Sequence, residues 1–292
     1  MFKKILVSLD GSVLAEGILP VVTPLAERLN STIVLLSVVD PVVNQASVVS
    51  RNEKQLELEA VAERLANVKL KYEVRVVVGS PYPTIVDAAD NAGCDLIAMS
   101  THGRGGLSRG VMGSVADQVM RNSHVPTLLV APNRAAELRT EGKPLSKIVG
   151  PLDGTPEGER VLPYVEEFAS ALGLEVVLAR VIDTGGPYTG LLDDARFVET
   201  DPAIKEAARE YLETTAAGLR ANGVAVSWKL GEGVPARKLV ELAHETAENF
   251  VAIATRGHSG IERWLEGSVS EAVVRSSGDP VLVIPPAAAN GH

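Results

Sequence analysis

The feature that most constrains this chain is that it repeats itself. Residues 4–12 (KILVSLDGS) align with 147–155 (KIVGPLDGT), 143 positions later, and 33–40 (IVLLSVVD) align with 176–183 (VVLARVID) at the same offset. Residues 74–79 resemble 226–231 at an offset of 152, and 101–115 (THGRGGLSRGVMGSV) align with 255–269 (TRGHSGIERWLEGSV) at 154. The growing offset implies insertions in the second copy, most of the first one around 184–202. A period of about 145 residues exceeds any solenoid unit and has the size of a whole domain. The 292 residues are therefore read as two tandem domains, 1–140 and 141–292, joined through the polar stretch 133–144 (NRAAELRTEGKP).

Each copy alternates two kinds of segment. Short runs rich in Val, Ile and Leu lie at 5–9, 33–39, 73–78, 96–100 and 127–130, the composition of strands buried on both faces. Helical periodicity fills the gaps at 14–29, 55–65, 84–91 and 114–121. Such alternation builds right-handed βαβ units. The expected fold is α/β: two tandem doubly wound, mostly parallel five-stranded sheets with helices on both faces, Rossmann-like.

Composition narrows the function classes. A formal net charge of −9 favours solubility and works against a general nucleic-acid surface. The single cysteine, Cys94, permits no intrachain disulfide and suits a reducing compartment. The N-terminal MFKKILVSLDG lacks the apolar stretch and cleavage site of a signal peptide. No run reaches the roughly 18 apolar residues of a membrane span. A cytoplasmic protein that spans no membrane and binds no nucleic acid is expected.

In doubly wound sheets ligands bind beyond the carboxyl ends of the strands, and four features of each copy fall there. Asp10 and Asp153 follow the first strand; such a carboxylate meets a ribose hydroxyl or Mg²⁺, or only closes an Asx turn. Val38 and Val181 end the second strand, where an apolar side chain lines a base pocket or packs the core. A glycine-rich loop follows the fourth strand, with Gly103, Gly106, Gly113 and Ser114 spaced as are Gly257, Gly260, Gly267 and Ser268. Glycines there allow a backbone to approach a ligand closely, although the pattern is neither Gly-x-Gly-x-x-Gly nor Walker A. Finally, Ser114 with Asp117 and Ser268 with Glu271 fit capping boxes opening a helix, whose N-terminus favours a phosphate. No nucleophile–His–acid set repeats, and catalytic residues are not assigned.

At the glycine loop both copies resemble the universal stress protein family, over about residues 1–133 and 144–286. Its signature, Gly-x2-Gly-x9-Gly-Ser/Thr, falls on Ser100, Gly103, Gly113 and Ser114, and on Ala254, Gly257, Gly267 and Ser268. The resemblance implies an adenine nucleotide alpha hydrolase-like fold and ATP, with or without Mg²⁺, in that cleft. It implies Asp10 and Asp153 by the ribose or metal, Val38 and Val181 at the adenine, and Met99 and Ile253 beside base and ribose. Gly103, Gly113, Ser114 and Val115, with Gly257, Gly267, Ser268 and Val269, would line the phosphate path. Both copies depart from the signature at its first glycine, replaced by Ser100 and Ala254. Ser100 is expected to favour the first site, and Trp264 and Glu266 to burden the second.

The resemblance further implies a role in stress response or signalling, with slow ATP hydrolysis at most. It leaves open a nucleotide-independent, dimeric scaffold of the same fold, serving an unidentified protein partner. It also implies antiparallel pairing of the two last strands, 127–130 and 280–284, making the chain a pseudo-dimer that associates into a homodimer.

Overall fold

A computed structural model of the protein describes residues 1–42, 47–67, 69–102, 112–131, 145–184, 200–246, 249–255, 268–276 and 278–286. The first copy contributes strands β1 (Lys4–Ser8), β2 (Thr32–Val39), β3 (Lys71–Val78), β4 (Leu96–Ser100) and β5 (Thr127–Val130). The second contributes β6 (Lys147–Pro151), β7 (Glu175–Asp183), β8 (Val226–Gly233), β9 (Asn249–Ala254) and β10 (Val281–Ile284). Five strands per copy, interleaved with helices, match the α/β reading.

The chain forms two compact units, Met1–Pro144 with Pro280–His292, and Leu145–Asp279. In the first unit the strand order is β3-β2-β1-β4-β5-β10. Strands β1 to β5 pair in parallel. Strand β10 pairs antiparallel with β5, with Leu282 opposite Leu128. The last strand of the second copy thus covers the edge that β5 would otherwise expose, which blocks edge-to-edge aggregation. In the second unit the order is β9-β6-β7-β8, all parallel. Ile5, Leu6, Ile33, Leu35, Leu36, Leu96 and Ile97 are fully closed off from solvent in the first unit, as nearly continuous apolar strands require.

The first helix of each copy is broken. The periodicity over 14–29 predicts one helix, yet α1 (Val13–Glu16) and α2 (Leu19–Leu29) are separate. Pro20 sits in the first turn of α2, where its missing N–H is harmless. In an unbroken helix its ring would meet the carbonyl of residue 16. The second copy repeats the break between α6 (Pro156–Glu159) and α7 (Leu162–Leu172), with Pro163 at the same place. The remaining helices are α3 (Ser47–Asn67), α4 (Pro81–Ala92), α5 (Ser114–Asn122), α8 (Pro202–Ala221), α9 (Pro235–His244) and α10 (Ser268–Ser276).

Strand register corrects one of the sequence alignments. Ile33 pairs with Tyr72 and its counterpart Val176 pairs with Val226. Tyr72 and Val226 are therefore equivalent, an offset of 154 rather than 152. Short β-branched runs slide over one another by two residues without changing face, so the sequence pattern alone admits both registers. With 154, Gly79-Ser80-Pro81 falls on Gly233-Val234-Pro235, and the inserted residues lie between β7 and α8.

Candidate functional site

Both first-strand aspartates close turns. Asp10 Oδ1 accepts from Ser12 N at 2.8 Å, and Ser12 Oγ caps α1 by accepting from Ala15 N at 3.1 Å. Asp153 Oδ1 accepts from Thr155 N at 2.9 Å and from the Thr155 hydroxyl at 2.7 Å, while Thr155 Oγ1 accepts from Gly158 N at 3.1 Å. The residue between, Gly11 or Gly154, has φ of +84° or +83°, a conformation that costs any other L-residue about 1–2 kcal/mol. The Asx-turn reading of these aspartates therefore holds. The turn carries each carboxylate at the carboxyl end of the first strand and occupies its Oδ1.

A cation lies on each of these turns, and sequence reasoning missed both. In the first copy Lys54 of α3 donates from Nζ to the Asp10 carbonyl at 2.9 Å and is ion-paired with Glu57. In the second copy Arg180 of β7 covers Gly154, its guanidinium 2.9 Å from where a Cβ would stand. Arg180 also stacks on the Tyr211 ring of α8, 4.7 Å from its centroid, a cation–π contact. These cations are not equivalent residues: Arg180 replaces Ser37, and Ala208 stands where Lys54 would be. Comparing the copies position by position hides them.

The side chains expected at the base are apolar. Val38 and Val181, near the ends of β2 and β7, are half-buried. Met99 and Ile253, penultimate in β4 and β9, are buried. Ser100 is buried and its Oγ accepts a long bond, 3.5 Å, from His102 N. Ala254 is half-buried.

The expected phosphate path begins at the start of α5. Gly113 N donates to Thr101 O at 2.8 Å, tying the end of β4 to the helix. A Cβ on Gly113 would stand 3.0 Å from the same carbonyl, so close approach, not an unusual φ, favours glycine here. The expected capping box is absent: the cap is Gly113 without any side-chain bond, and Ser114 is already helical. Because extended Gly113 takes the cap position, Asp117 falls one residue beyond the capping-box place. It instead forms a two-pronged ion pair with Arg121, 2.7 and 3.0 Å. Glu271 pairs likewise with Arg275 at 2.8 Å, and Ser268 begins α10 as a helical residue rather than a cap. The acids that would repel a phosphate are thereby paired, and the first N–H groups of α5 lack an intrahelical acceptor. Ser114 is exposed, and Val115 and Val269 are half-buried. Gly103, Gly257 and Gly267 lie outside the described residues, as do Trp264 and Glu266.

Three further findings bear on chemistry and setting. Burial pushes the Cys94 thiol up to about 11, which leaves it protonated and a poor nucleophile at neutral pH. Among the described residues no three His, Cys, Asp or Glu side chains converge as a metal site. Among the same residues no helix is long and apolar enough to cross a membrane.

Known proteins resemble this chain in sequence and fold. The family model for the universal stress protein family matches residues 1–131 and 144–285. A universal stress protein of Mycobacterium tuberculosis is 29% identical over 238 residues, covering 80% of this chain and 74% of that protein. One from Methanocaldococcus jannaschii is 31% identical over 138 residues, covering 47% of this chain and 81% of that protein. The crystal structure of a universal stress protein from Archaeoglobus fulgidus superposes with a TM-score of 0.75 at 21% identity, covering 98% of this chain and 99% of that one.

Proposed function

The chain belongs to the universal stress protein family, and from that premise we propose that each copy binds an adenine nucleotide, ATP in the first instance. The site spans the carboxyl ends of the first, second and fourth strands and the start of the following helix. Asp10 and Asp153 face the ribose, Val38, Met99, Val181 and Ile253 the base and its sugar. Gly103, Gly113, Ser114 and Val115, with Gly257, Gly267, Ser268 and Val269, follow the phosphates. Ser100 and Ala254 stand at the signature's first position. One observation carries the reading: at the start of α5 an uncapped helix end meets a glycine held against Thr101 O, with the nearby acid Asp117 paired away. An uncapped helix end of this kind favours an anion such as a phosphate. Mg²⁺ would arrive with the nucleotide, because Mg²⁺ is commonly held by phosphates and one or two carboxylates.

The biological role is a cytoplasmic one in stress response or signalling, with slow ATP turnover at most, and the assembly a homodimer of two-domain chains. The decisive experiment denatures purified protein, identifies any released nucleotide, and titrates the stripped protein with ATP by calorimetry. Released adenine nucleotide and saturable heat are expected. No ligand and no heat at millimolar ATP would overturn the proposal. One observation favours the second reading, a nucleotide-independent scaffold: each aspartate already spends Oδ1 on its turn. A crystal soaked in ATP whose cleft stays empty would select it.

A further inference from the structure

One groove in the second unit lacks a charge that the first unit supplies from its own chain. In the first copy Arg64 of α3 reaches Glu16 at the end of α1, Nη2 to Oε2 at 2.6 Å. The counterpart of Glu16 is Glu159 at the end of α6, and the counterpart of Arg64 is Gly218 of α8. The burial of the two helices fixes this alignment: Leu58, Ala62 and Leu65 of α3 are buried, and so are Leu212, Ala216 and Leu219, each 154 residues later. A Cβ added at Gly218 would meet no atom within 4 Å. Glu159 and Gly218 line an open groove of about 790 Å³ along α7 and α8.

The groove combines apolar walls with acids. Leu162, Pro163 and Leu219 line it together with Glu159, Glu166 and Glu210, and no lysine or arginine does. Arg180 stacks on the Tyr211 ring but is not among the lining residues. The matched positions of the first copy also hold three glutamates, Glu16, Glu53 and Glu57. There Glu16 is paired with Arg64 and Glu57 with Lys54, both from within the chain. In the second copy none of the three glutamates is ion-paired among the described residues. Arginine suits such a seat better than lysine. Its stem packs along apolar walls, and its planar, weakly hydrated guanidinium forks onto carboxylates. Because the groove is open rather than enclosed, a small cation would stay hydrated there. A side chain carried on a partner's surface brings apolar neighbours that cover the walls.

We propose that this groove docks a protein partner that inserts an arginine flanked by apolar residues. The partner's guanidinium takes beside Glu159 the place that Arg64 holds beside Glu16 in the first copy. The surface lies wholly within the second unit and is independent of the nucleotide reading.

Two measurements on the full chain test this. The first asks whether Glu159 accepts a guanidinium. Gly218→Ala raises the unfolding midpoint through helix propensity. Gly218→Arg raises it further by restoring the missing pair, and that surplus disappears when Glu159→Gln is added. The second asks for the partner's chemistry. The probe is a peptide with one arginine between leucines, compared with the same peptide carrying uncharged citrulline and with arginine amide alone. Each is titrated into ¹⁵N-labelled protein, and the Gly218 amide signal is the one lost in Gly218→Ala. It moves with the arginine peptide, which binds about fivefold more tightly than either comparison. Gly218→Arg, which fills the seat from within, removes that preference. A Gly218→Arg protein no more stable than Gly218→Ala, equal binding of the two peptides, or no shift at millimolar peptide would each overturn the proposal. Arginine amide binding as tightly as the arginine peptide would overturn the protein partner in favour of a small cation.

Discussion

The two copies keep the same backbone and move their charges around it. Lys4 opens β1 and pairs with Glu73 of β3 at 2.6 Å; its counterpart Lys147 opens β6 and pairs with Glu175 of β7 at 3.5 Å. Position 73 has become Ser227, which donates to Glu175 Oε1 at 2.6 Å, while Glu175 replaces Thr32. The Asp–Gly turns show the same migration, with Lys54 reaching the first from a helix and Arg180 reaching the second from a strand. An ion pair needs two opposite charges within about 4 Å, and neighbouring strands about 4.8 Å apart offer several ways to meet that. Buried apolar positions have no such freedom, because each must fill a fixed volume. The Asp–Gly turns therefore recur at matched positions and the strands keep their apolar runs, while charges repeat only in place.

The sharpest way to break this comparison is to send a cation down the wrong route. Ser37 is buried, and its Oγ has no hydrogen-bond partner among the described residues. Arginine at its counterpart, Arg180, fills the space over Gly154, but over Gly11 that space holds Lys54 and Glu57. Ser37→Arg should destabilise the first unit by about 2–3 kcal/mol through overpacking and like-charge contact with Lys54. Adding Lys54→Ala removes the competitor, leaves Glu57 as a partner for the new arginine, and should restore at least half of the loss. Denaturant unfolding of the two single variants and the double variant checks this as a double-mutant cycle. Additive losses would mean that the two cation routes do not converge on one place.

A second comparison concerns affinity. Ser100 and Ala254 differ by one hydroxyl at the same position. The Ser100 oxygen accepts from His102 N, which leaves its proton to donate to a ribose or phosphate oxygen. A hydrogen bond to a charged oxygen is worth about 1.5–3 kcal/mol, or roughly ten- to a hundredfold in Kd. The first copy should bind nucleotide more tightly by that order. Calorimetry on Gly113→Val, which leaves the second site, and on Gly267→Val, which leaves the first, measures the gap. If Gly267→Val binds no better than Gly113→Val, the two sites are alike.

These contrasts also mark what the sequence makes legible. The fold was readable because buried parallel strands are short, apolar and spaced by helices, and because two copies report the same pattern twice. The strand ends carrying Asp10, Val38 and Ser100 were readable for the same reason. The broken first helix was missed because the apolar periodicity runs on through Pro20, which only the carbonyl clash interrupts. The capping boxes were misread by one residue, since Ser114 and Asp117 have the right spacing and only the extended conformation of Gly113 shows where the helix begins. Lys54 and Arg180 were invisible because no periodicity connects a helix position to a turn 44 residues earlier, and the second copy reaches the same turn by another residue.

The smallest effect should appear in acid. Hydrogen bonds from Lys4 and then Arg75 hold the Glu73 carboxyl below its ordinary range. A carboxylate whose folded pKa is depressed stabilises the fold above its unfolded value, about 4.3, and loses that contribution as pH falls through the folded value. Glu73 and Lys4 are partly exposed, 38% and 24%, so solvent screening limits the pair to about 0.5 kcal/mol. Glu73→Gln should therefore cost the first unit that amount, nearly constant from neutral pH down to about 5. The difference from wild type should then shrink below the ordinary carboxylate range as Glu73 itself becomes protonated. Glu175→Gln provides the matched measurement, with a longer contact and both side chains more than a third exposed, and should cost less. Denaturant unfolding of both variants across pH checks the order. A loss in Glu73→Gln that grows as pH falls would have the wrong sign for a stabilised carboxylate, and a larger loss in Glu175→Gln would show that the migrated pair is the stronger one.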